Sequence, residues 1–455
     1  MKELPVRPFS APARGIARVP GSKSLSNRAL LLAFLAGGET RVANLLASED
    51  TEALREAFVR LGVGDRETPE GDRIVGGCAG HPPADEARID VRNAGTVARF
   101  LPAALSLREG GSYEFDGSAA MRKRPMSGLL AALEALGARV TFGGERGHFP
   151  FRLEPRGWRR TELSVDASRS SQILSALLLA ATRAPAPTRI SLRGGTVSRP
   201  FVEMTLGLIR RFGGDADHDG DDFRVRPGLA GPAGGRYSVE PDATAASYFL
   251  ALPLAVGGSL DLRGFPEDSL QGDLAFADVL GRAGVAVTRG DGVLSARTGR
   301  ASGAGAGALF LDEDFNAISD TFLTLAALAP LLPGPIRIRG IGHTRHQETD
   351  RVAAIAAESR KLGQGVEESD DGLLLRPDTD ELRRRAAGGP IPVDTYGDHR
   401  VAMSFGILGC HDLFGDGRPW IAIRDPDCCG KTFPGFFDEL ARLRAIAESG
   451  SPSDD

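Results

Sequence analysis

Residues 26–37 read SNRALLLAFLAG, a polar start followed by small and apolar residues. A segment that is apolar around most of its circumference is typical of a helix buried in a core. The pattern recurs at intervals of 71 to 79 residues as TVARFLPAALS (96–106), SQILSALLLAA (171–181), SYFLALPLAVGG (247–258), DTFLTLAALAP (320–330) and HRVAMSFGILG (399–409). It predicts six related units of roughly 75 residues. The alternative is the ordinary recurrence of buried helices in a large α/β protein.

Strands are predicted after most of these helices, where a Gly or Pro is followed by alternating polar and apolar residues. Such segments are TRVANL (40–45), SYEFDG (112–117), TRISLRG (188–194), SLDLRG (259–264) and IRIRG (336–340). Further amphipathic helices are predicted at 126–138, 201–213, 274–285 and 350–363. The expected fold class is α/β, built from six βαβαββ units with three in each domain.

The composition excludes several classes of protein. The 455 residues are 42% hydrophobic and 25% charged, with a net charge of −5, which is ordinary for a globular chain of two or three domains. No basic block indicates nucleic acid, and no apolar run is long enough to predict a membrane span or a signal peptide. The 4 cysteines lack a repeated zinc-ligand spacing, so we expect no metal and a reduced cytoplasmic setting.

An anion site is indicated by Pro20-Gly21-Ser22-Lys23-Ser24-Leu25-Ser26-Asn27-Arg28. The segment places two cations and three hydroxyls in a turn before a helix, where free backbone N–H groups bind phosphate or carboxylate. Its spacing is not that of a nucleotide P-loop. The alternative is a capping turn without a ligand.

Nine short motifs, in order along nearly the whole chain, resemble the 5-enolpyruvylshikimate-3-phosphate synthase family of enolpyruvyl transferases. They are the segment above, Asn93-Ala94-Gly95-Thr96-Val97-Ala98-Arg99, Arg124-Pro125, Ser170-Ser171-Gln172, Ser198-Arg199-Pro200, Asp320, Glu348-Thr349-Asp350-Arg351, Asp398-His399-Arg400 and Gly430-Lys431-Thr432-Phe433-Pro434.

The resemblance implies an enolpyruvyl transferase-like fold of two domains that close on a cleft holding the active site. One domain would comprise residues 1–20 plus 241–455 and the other residues 21–240. It also implies a monomeric enzyme with no cofactor. Such an enzyme adds the 5-hydroxyl of shikimate 3-phosphate to phosphoenolpyruvate and releases phosphate.

The resemblance also assigns residues to roles. Asp320 resembles the general base toward the hydroxyl and Glu348 the general acid toward the enol carbon, with Lys23 as a third catalytic residue. Shikimate 3-phosphate would contact Lys23, Ser24, Arg28, Ser170, Ser171, Gln172, Ser198, Asp320, His343 and Gln347. Phosphoenolpyruvate would contact Lys23, Gly95, Arg124, Gln172, Arg351, Arg400 and Lys431.

From the residues alone, Asp320 could equally be a helix N-cap and Glu348 a partner in a salt bridge to Arg351. Glu348 and Arg351 are three positions apart, so on a helix they would share a face.

Three positions depart from the commonest pattern of the family. Phe201 stands where a tyrosine is usual, His343 replaces a frequent asparagine, and Gln347 replaces a lysine that helps to bind the reacting hydroxyl. Glutamine can hydrogen-bond a hydroxyl but supplies no charge, and a histidine could supply a partial one. The departures leave open a paralogue acting on another cyclitol phosphate, or an inert anion-binding homologue.

Overall fold

A computed structural model of the chain describes residues 2–168, 170–196, 198–298 and 311–449. The chain divides into two compact units, which are Met1–Pro20 with Pro241–Asp455 (unit 1) and Gly21–Glu240 (unit 2). No helix in the described ranges is long and apolar enough to cross a lipid bilayer.

Helices and strands alternate along most of the chain. The α-helices are α1 Lys23–Leu35, α2 Glu49–Arg60, α3 Gly95–Leu105, α4 Ala119–Arg122, α5 Ser127–Leu136, α6 Ser171–Ala181, α7 Pro200–Arg211, α8 Ala243–Val256, α9 Phe276–Arg282, α10 Phe322–Ala327, α11 Arg351–Lys361, α12 Thr379–Ala386, α13 His399–Gly409 and α14 Phe436–Ser449. The strands are β1 Glu3–Pro5, β2 Ile16–Ala17, β3 Glu39–Ala43, β4 Asp65–Glu67, β5 Arg73–Gly76, β6 Glu86–Asp90, β7 Ser112–Asp116, β8 Arg139–Phe142, β9 Phe151–Glu154, β10 Glu162–Ala167, β11 Thr188–Thr196, β12 Asp215–Asp219, β13 Asp222–Arg226, β14 Arg236–Ser238, β15 Ser259–Arg263, β16 Val285–Gly290, β17 Val293–Thr298, β18 Leu311–Asp314, β19 Ile336–Arg339, β20 Gly365–Ser369, β21 Gly372–Arg376, β22 Ile391–Val393 and β23 Ile421–Arg424.

The predicted sixfold repeat is confirmed by the sheets, which share one topology. Unit 2 contains sheets of order β6-β7-β9-β8, β10-β11-β13-β12 and β14-β3-β5-β4, and unit 1 contains β18-β19-β21-β20, β2-β15-β17-β16 and the shorter β22-β23-β1. In every sheet the first pair is parallel and the remaining pairs are antiparallel. The ordinary recurrence of buried helices in a large α/β protein would not by itself produce the same strand order in each sheet.

Each unit completes its sheets with its own strands, including the two strands that lie next to the crossings of the chain. β2 precedes α1 in the chain, but it pairs in parallel with β15 of unit 1. β14 precedes α8, but it pairs in parallel with β3 of unit 2. The chain therefore passes from unit 1 to unit 2 and back at the points where these strands end.

The six repeated segments form the most buried helices. In unit 2, α1, α3 and α6 pack against one another, and in unit 1 the same holds for α8, α10 and α13. Nearly every residue of α1 from Leu25 to Leu35 is buried, because the helix is apolar on all sides. The polar residues at the start of each helix therefore lie at the edge of a core.

Candidate active site

One guanidinium in unit 1 contacts three carboxylates. Arg351 is the first residue of α11, and its side chain is 2% exposed. It donates from Nε to Asp398 over 2.7 Å, from Nη1 to Asp320 over 2.9 Å and from Nη2 to Glu348 over 2.8 Å. Burial opposes the charge of Arg351, but the three carboxylates outweigh it and raise the pKa of the guanidinium. The structure thus brings together the predicted Asp320, Glu348 and Arg351.

Arg400 joins this cluster from α13. It donates from Nη2 to Oδ2 of Asp320 over 2.6 Å. Asp398 is the N-cap of α13, and its fully buried carboxylate accepts from the backbone N–H of Arg400 over 2.9 Å. Burial again opposes the charge of Arg400, and Asp320 leads the groups that raise its pKa. Asp320 is therefore held by two arginines.

Glu348 lies between two cations. Besides accepting from Arg351, it accepts from Lys431 Nζ over 2.8 Å, where Lys431 ends a 3₁₀ turn over Pro426–Lys431. Glu348 and Arg351 do not share a helix, because α11 begins at Arg351 with Asp350 as its N-cap. The capping carboxylate of Asp350 starts the helix at Arg351, three residues after Glu348. The salt bridge expected from the spacing is present.

Asp320 is not a helix cap in this structure. It follows a 3₁₀ turn over Asn316–Ile318, and the N-cap position of α10 is Thr321. Its carboxylate is directed instead to Arg351 and Arg400. The capping alternative is therefore wrong for this residue.

His343 and Gln347 both adjoin the cluster. His343 Nε2 shares a hydrogen bond of 2.9 Å with Ser319 Oγ, next to Asp320. Burial lowers the pKa of His343, so the imidazole is neutral at pH 7 and does not replace a missing cation. Gln347 Oε1 accepts from Nη1 of Arg351, which leaves its amide nitrogen as a donor for another group.

A further carboxyl group, Asp273, is buried in unit 1. It lies in a 3₁₀ turn over Gly272–Ala275 that packs against the turn preceding Asp320, and it accepts from Thr244 Oγ1. Burial raises the pKa of Asp273 to about 7, with the negative charge of Asp320 as the second cause. The cluster therefore holds one acidic group that titrates near neutrality.

In unit 2 the second turns of three helices meet around Arg28. Arg28 is the sixth residue of α1, and it donates from Nε to Thr205 Oγ1 over 2.8 Å and from Nη2 to Ser175 Oγ over 3.4 Å. Ser175 is the fifth residue of α6 and Thr205 the sixth of α7. The N-terminal turns of α1, α6 and α7 are consequently neighbours. Such ends attract anions through their free N–H groups and dipoles.

Arg28 carries a buried charge without a carboxylate partner. Arg28 is 2% exposed, and within the described ranges no carboxylate lies within ion-pair distance of its guanidinium. The guanidinium donates further to the carbonyl oxygens of Ser24 and Phe201, over 3.0 and 3.2 Å. Burial lowers the pKa of Arg28 to about 9. A buried cation supported only by neutral groups favours an anionic ligand.

A second cationic group surrounds the start of α3. Gly95 is its first residue, and a Cβ there would lie 3.0 Å from Nη1 of Arg124, so the close approach of this guanidinium requires glycine. Arg99 donates to the carbonyl oxygen of Gly95 over 3.0 Å and is 4% exposed. Burial, followed by the charge of Arg124, lowers the pKa of Arg99 to about 9. Among described residues neither arginine has an ion-pair partner.

The remaining predicted residues of unit 2 lie at these helix starts. Lys23 and Ser24 open α1, Ser170 caps α6 by accepting from Gln172 N over 3.3 Å, and Ser171 begins that helix. Ser198 precedes α7 in the left-handed conformation, with φ at 52°. The Oε1 atom of Gln172 is buried, and no described residue donates to it.

Sequence reasoning missed several residues that hold these side chains. Thr205 and Ser175 lie inside apolar helices, where a lone hydroxyl gives no functional signal. Asp398 belongs to one of the nine motifs, but nothing in the sequence indicates that it accepts from Arg351. Asp273 lies at the start of a helical segment, where acidic residues are common for dipole reasons. In the described part of the chain, no cluster of three His, Cys, Asp or Glu side chains is arranged to hold a metal.

Comparison with known proteins agrees with the fold and the motifs. A family model described as EPSP synthase (3-phosphoshikimate 1-carboxyvinyltransferase) matches residues 9–440. Proteins named 3-phosphoshikimate 1-carboxyvinyltransferase are 48% identical in Opitutus terrae, with 97% of each chain covered, and 40% identical in Cellvibrio japonicus, with 95% of this chain and 98% of that protein covered.

The solved EPSP synthase of Acinetobacter baumannii has the same fold. It superposes with a TM-score of 0.77 over 97% of this chain and 98% of that one, at 23% identity. The expected fold class is confirmed. With a family match over most of its length and a relative at 48% identity, the chain belongs to the EPSP synthase family.

Proposed function

We propose that the chain transfers the carboxyvinyl group of phosphoenolpyruvate to the 5-hydroxyl of shikimate 3-phosphate. The hydroxyl oxygen bonds to C2 of the enol while a proton is added at the methylene carbon. The bond from C2 to the phosphate oxygen then breaks, inorganic phosphate leaves, and loss of a proton from the new methyl group restores the double bond. Both substrates are anions, which the arginines of the two units suit.

The observation that carries the proposal is the buried, unpaired charge of Arg28 where three helix starts meet. An acceptor bearing phosphate and carboxylate groups supplies the missing negative charge. We assign Lys23, Ser24, Arg28, Ser170, Ser171, Gln172 and Ser198 to this acceptor. Their hydroxyl and amide groups suit a ligand rich in oxygen atoms.

The cluster of unit 1 supplies acid–base chemistry. We assign Asp320 as the base that takes the hydroxyl proton and Glu348 as the acid that protonates the methylene carbon, assisted by Lys23. Arg351, Arg400 and Lys431, with Gly95, Arg124, Gln172 and Lys23, are assigned to phosphoenolpyruvate. Each cation of unit 1 here contacts a carboxylate, so an incoming anion replaces a partner of like charge.

His343 and Gln347 are assigned to the acceptor as neutral groups. The amide nitrogen of Gln347 can donate to the reacting hydroxyl, since its oxygen is held by Arg351. We further propose that the enzyme is a cytoplasmic monomer. The four cysteines Cys78, Cys410, Cys428 and Cys429 are all unpaired, which suits a reducing compartment.

The test is release of inorganic phosphate from phosphoenolpyruvate, measured with and without shikimate 3-phosphate. We expect release only when both substrates are present, together with a product whose mass equals that of the acceptor plus the carboxyvinyl group. Unphosphorylated shikimate and a different cyclitol phosphate serve as acceptor controls. Folded protein that releases phosphate with another cyclitol phosphate, but not with shikimate 3-phosphate, would contradict the assignment of the acceptor.

Gln347→Lys is measured beside the wild type in the same assay. Lysine cannot accept from Arg351, and it places a second cation beside that guanidinium. We expect the variant to show a raised KM for phosphoenolpyruvate. An increase in kcat without that penalty would contradict the role given to Gln347.

A further inference from the structure

Two aromatic rings lie against the guanidinium of Arg28. The ring centre of Phe100, on α3, is 5.2 Å from Cζ of Arg28, and that of Phe201, on α7, is 6.0 Å away. Phe100 is among the largest side chains that are fully buried. The negative face of an aromatic ring attracts a cation, and the attraction is stronger where the cation is desolvated.

These rings support the charge of Arg28 without neutralising it. A carboxylate in their place would pair with the guanidinium and compete with an anionic ligand. Thr205, Ser175 and the two carbonyl oxygens of Ser24 and Phe201 are neutral as well. The whole environment therefore holds Arg28 in place while leaving its positive charge uncompensated.

The hydrogen bonds of Arg28 also limit how many N–H donors it can offer to a ligand. A guanidinium has five N–H donors. The bond from Nε, the one from Nη1 to Ser24 and the two from Nη2 account for four of them. One N–H of Nη1 is left within the described part of the chain, and its direction depends on how the plane of the guanidinium is held.

We propose that Phe100 and Phe201 are positioning residues for the acceptor substrate: their rings fix the plane of Arg28 so that its remaining N–H meets an acidic group of that substrate. The inference rests on the proposed function. It also accounts for Phe201 in this chain, because the ring contributes through its face and a hydroxyl is not required. The two residues act through Arg28 and take no part in the chemical step.

The test compares Phe100→Leu and Phe201→Leu with Phe58→Leu. Phe58 is a ring of unit 2 that is as buried as Phe100 and stacks on Phe34 with centroids 4.9 Å apart, so its replacement removes packing without touching Arg28. Phe201→Tyr retains the ring and serves as the conservative variant. The measurements are the thermal midpoint, kcat, the KM of each substrate, and calorimetric titration with shikimate 3-phosphate in the absence of phosphoenolpyruvate.

We expect each leucine variant at Phe100 and Phe201 to raise the KM and the calorimetric Kd for the acceptor about fivefold to tenfold. The kcat and the KM for phosphoenolpyruvate should change less than twofold, and Phe201→Tyr should match the wild type. Acceptor affinities equal to those of Phe58→Leu, or a loss confined to kcat, would overturn the inference.

The two proposals fail in different ways. A wild type that binds shikimate 3-phosphate but releases no phosphate contradicts the proposed function and leaves the calorimetric test of the rings decisive. A wild type that turns over normally, with leucine variants like the control, contradicts only the inference. If Phe100→Leu does not fold, Phe100→Met with its unbranched side chain takes its place under the same expectation.

Discussion

Arg400 donates to Asp320 over 2.6 Å, although the two residues are 80 positions apart in the chain. The bond joins the start of α13 to the turn before α10, two helices that pack together in the core of unit 1. In the proposed function Arg400 binds phosphoenolpyruvate and Asp320 accepts a proton. In that function, an anion that displaces Asp320 from Arg400 would free the carboxylate from one of its two arginines and so prepare the base.

Replacing Arg351 with lysine should destabilise the protein strongly. Lysine has one ammonium group and cannot reach Asp320, Glu348 and Asp398 together, so buried carboxylates lose their partner. Breaking buried ion pairs costs about 3–5 kcal/mol. Chemical denaturation should show this loss, while Arg376→Lys, in an exposed pair with Glu367, should change the free energy of unfolding by less than about 1 kcal/mol. Equal effects of the two variants would contradict the central role of Arg351.

Asp320→Asn and Glu348→Gln should reduce kcat by about 10²–10⁴-fold each, the usual loss for a general acid or base. The amides keep an oxygen that accepts from Arg351, but they cannot exchange the proton. Steady-state phosphate release measures the effect. Glu367→Gln, in the antiparallel pair of β20 and β21, removes an exposed carboxylate and is the matched control. Retention of more than a tenth of the wild-type kcat would remove the residue concerned from the proposed mechanism.

Asp273→Asn should stabilise the protein at alkaline pH and much less at acidic pH. The folded pKa of Asp273 is raised from 3.8 to about 7, so the folded state binds the proton more tightly than the unfolded state does. The contribution of Asp273 to stability is thus fully present below about pH 4 and is lost as the pH rises through about 7, where half of the buried carboxyl groups are charged.

Asparagine can still accept from Thr244 and carries no charge. We expect a thermal midpoint at pH 8 that is at least about 2 °C above the wild type, and a smaller difference at pH 5. Asp312→Asn removes an exposed carboxylate and should not reproduce this pattern. A gain that is independent of pH would show that the charge of Asp273 is not its cause.

Gly95→Ala should weaken binding of phosphoenolpyruvate without harming the fold. A Cβ at this position would lie 3.0 Å from the end of the Arg124 side chain, which can move, so the guanidinium is displaced while the backbone is not. We expect the KM for phosphoenolpyruvate to rise about fivefold or more, equivalent to about 1 kcal/mol.

The KM for the acceptor and the thermal midpoint should stay near their wild-type values in Gly95→Ala. Gly64→Ala is the control, since nothing lies within 4 Å of the added carbon there. An equal rise in the KM of both substrates would contradict the assignment of Arg124 to phosphoenolpyruvate alone.

The sequence predicts the buried helices well because each is apolar on all sides. The segments at 171–181 and 399–409 coincide with α6 and α13 to the residue. Prediction from the sequence fails where a side chain bonds to a residue on a distant helix or strand. Nothing local indicates that Asp320 pairs with Arg400 or that Thr205 supports Arg28, since those contacts depend on how helices pack.

Two local sequence signals, the spacing of charges and the N-cap, compete at the start of α11. The spacing of Glu348 and Arg351 suits a helix, but Asp350 between them is a better N-cap and starts α11 one residue later. The ion pair survives because the chain bends over residues 347–349, which returns Glu348 to the guanidinium. The spacing of the charges therefore predicted the salt bridge between Glu348 and Arg351, whereas the N-cap at Asp350 determined where the helix begins.

The pairing of β2 with β15 and of β14 with β3 also sets the order in which the chain can fold as it leaves the ribosome. Unit 2 has all its strands once residue 240 has emerged, because β14 is its last. The first 20 residues wait longer: β2 waits for β15 at Ser259–Arg263, and β1 waits until β23 at Ile421–Arg424 has emerged. During that interval the waiting segment is an unpaired strand edge, which invites association with other chains. Pro5, Pro8 and Pro12 remove backbone donors along it, and so protect the nascent chain until its partners are made.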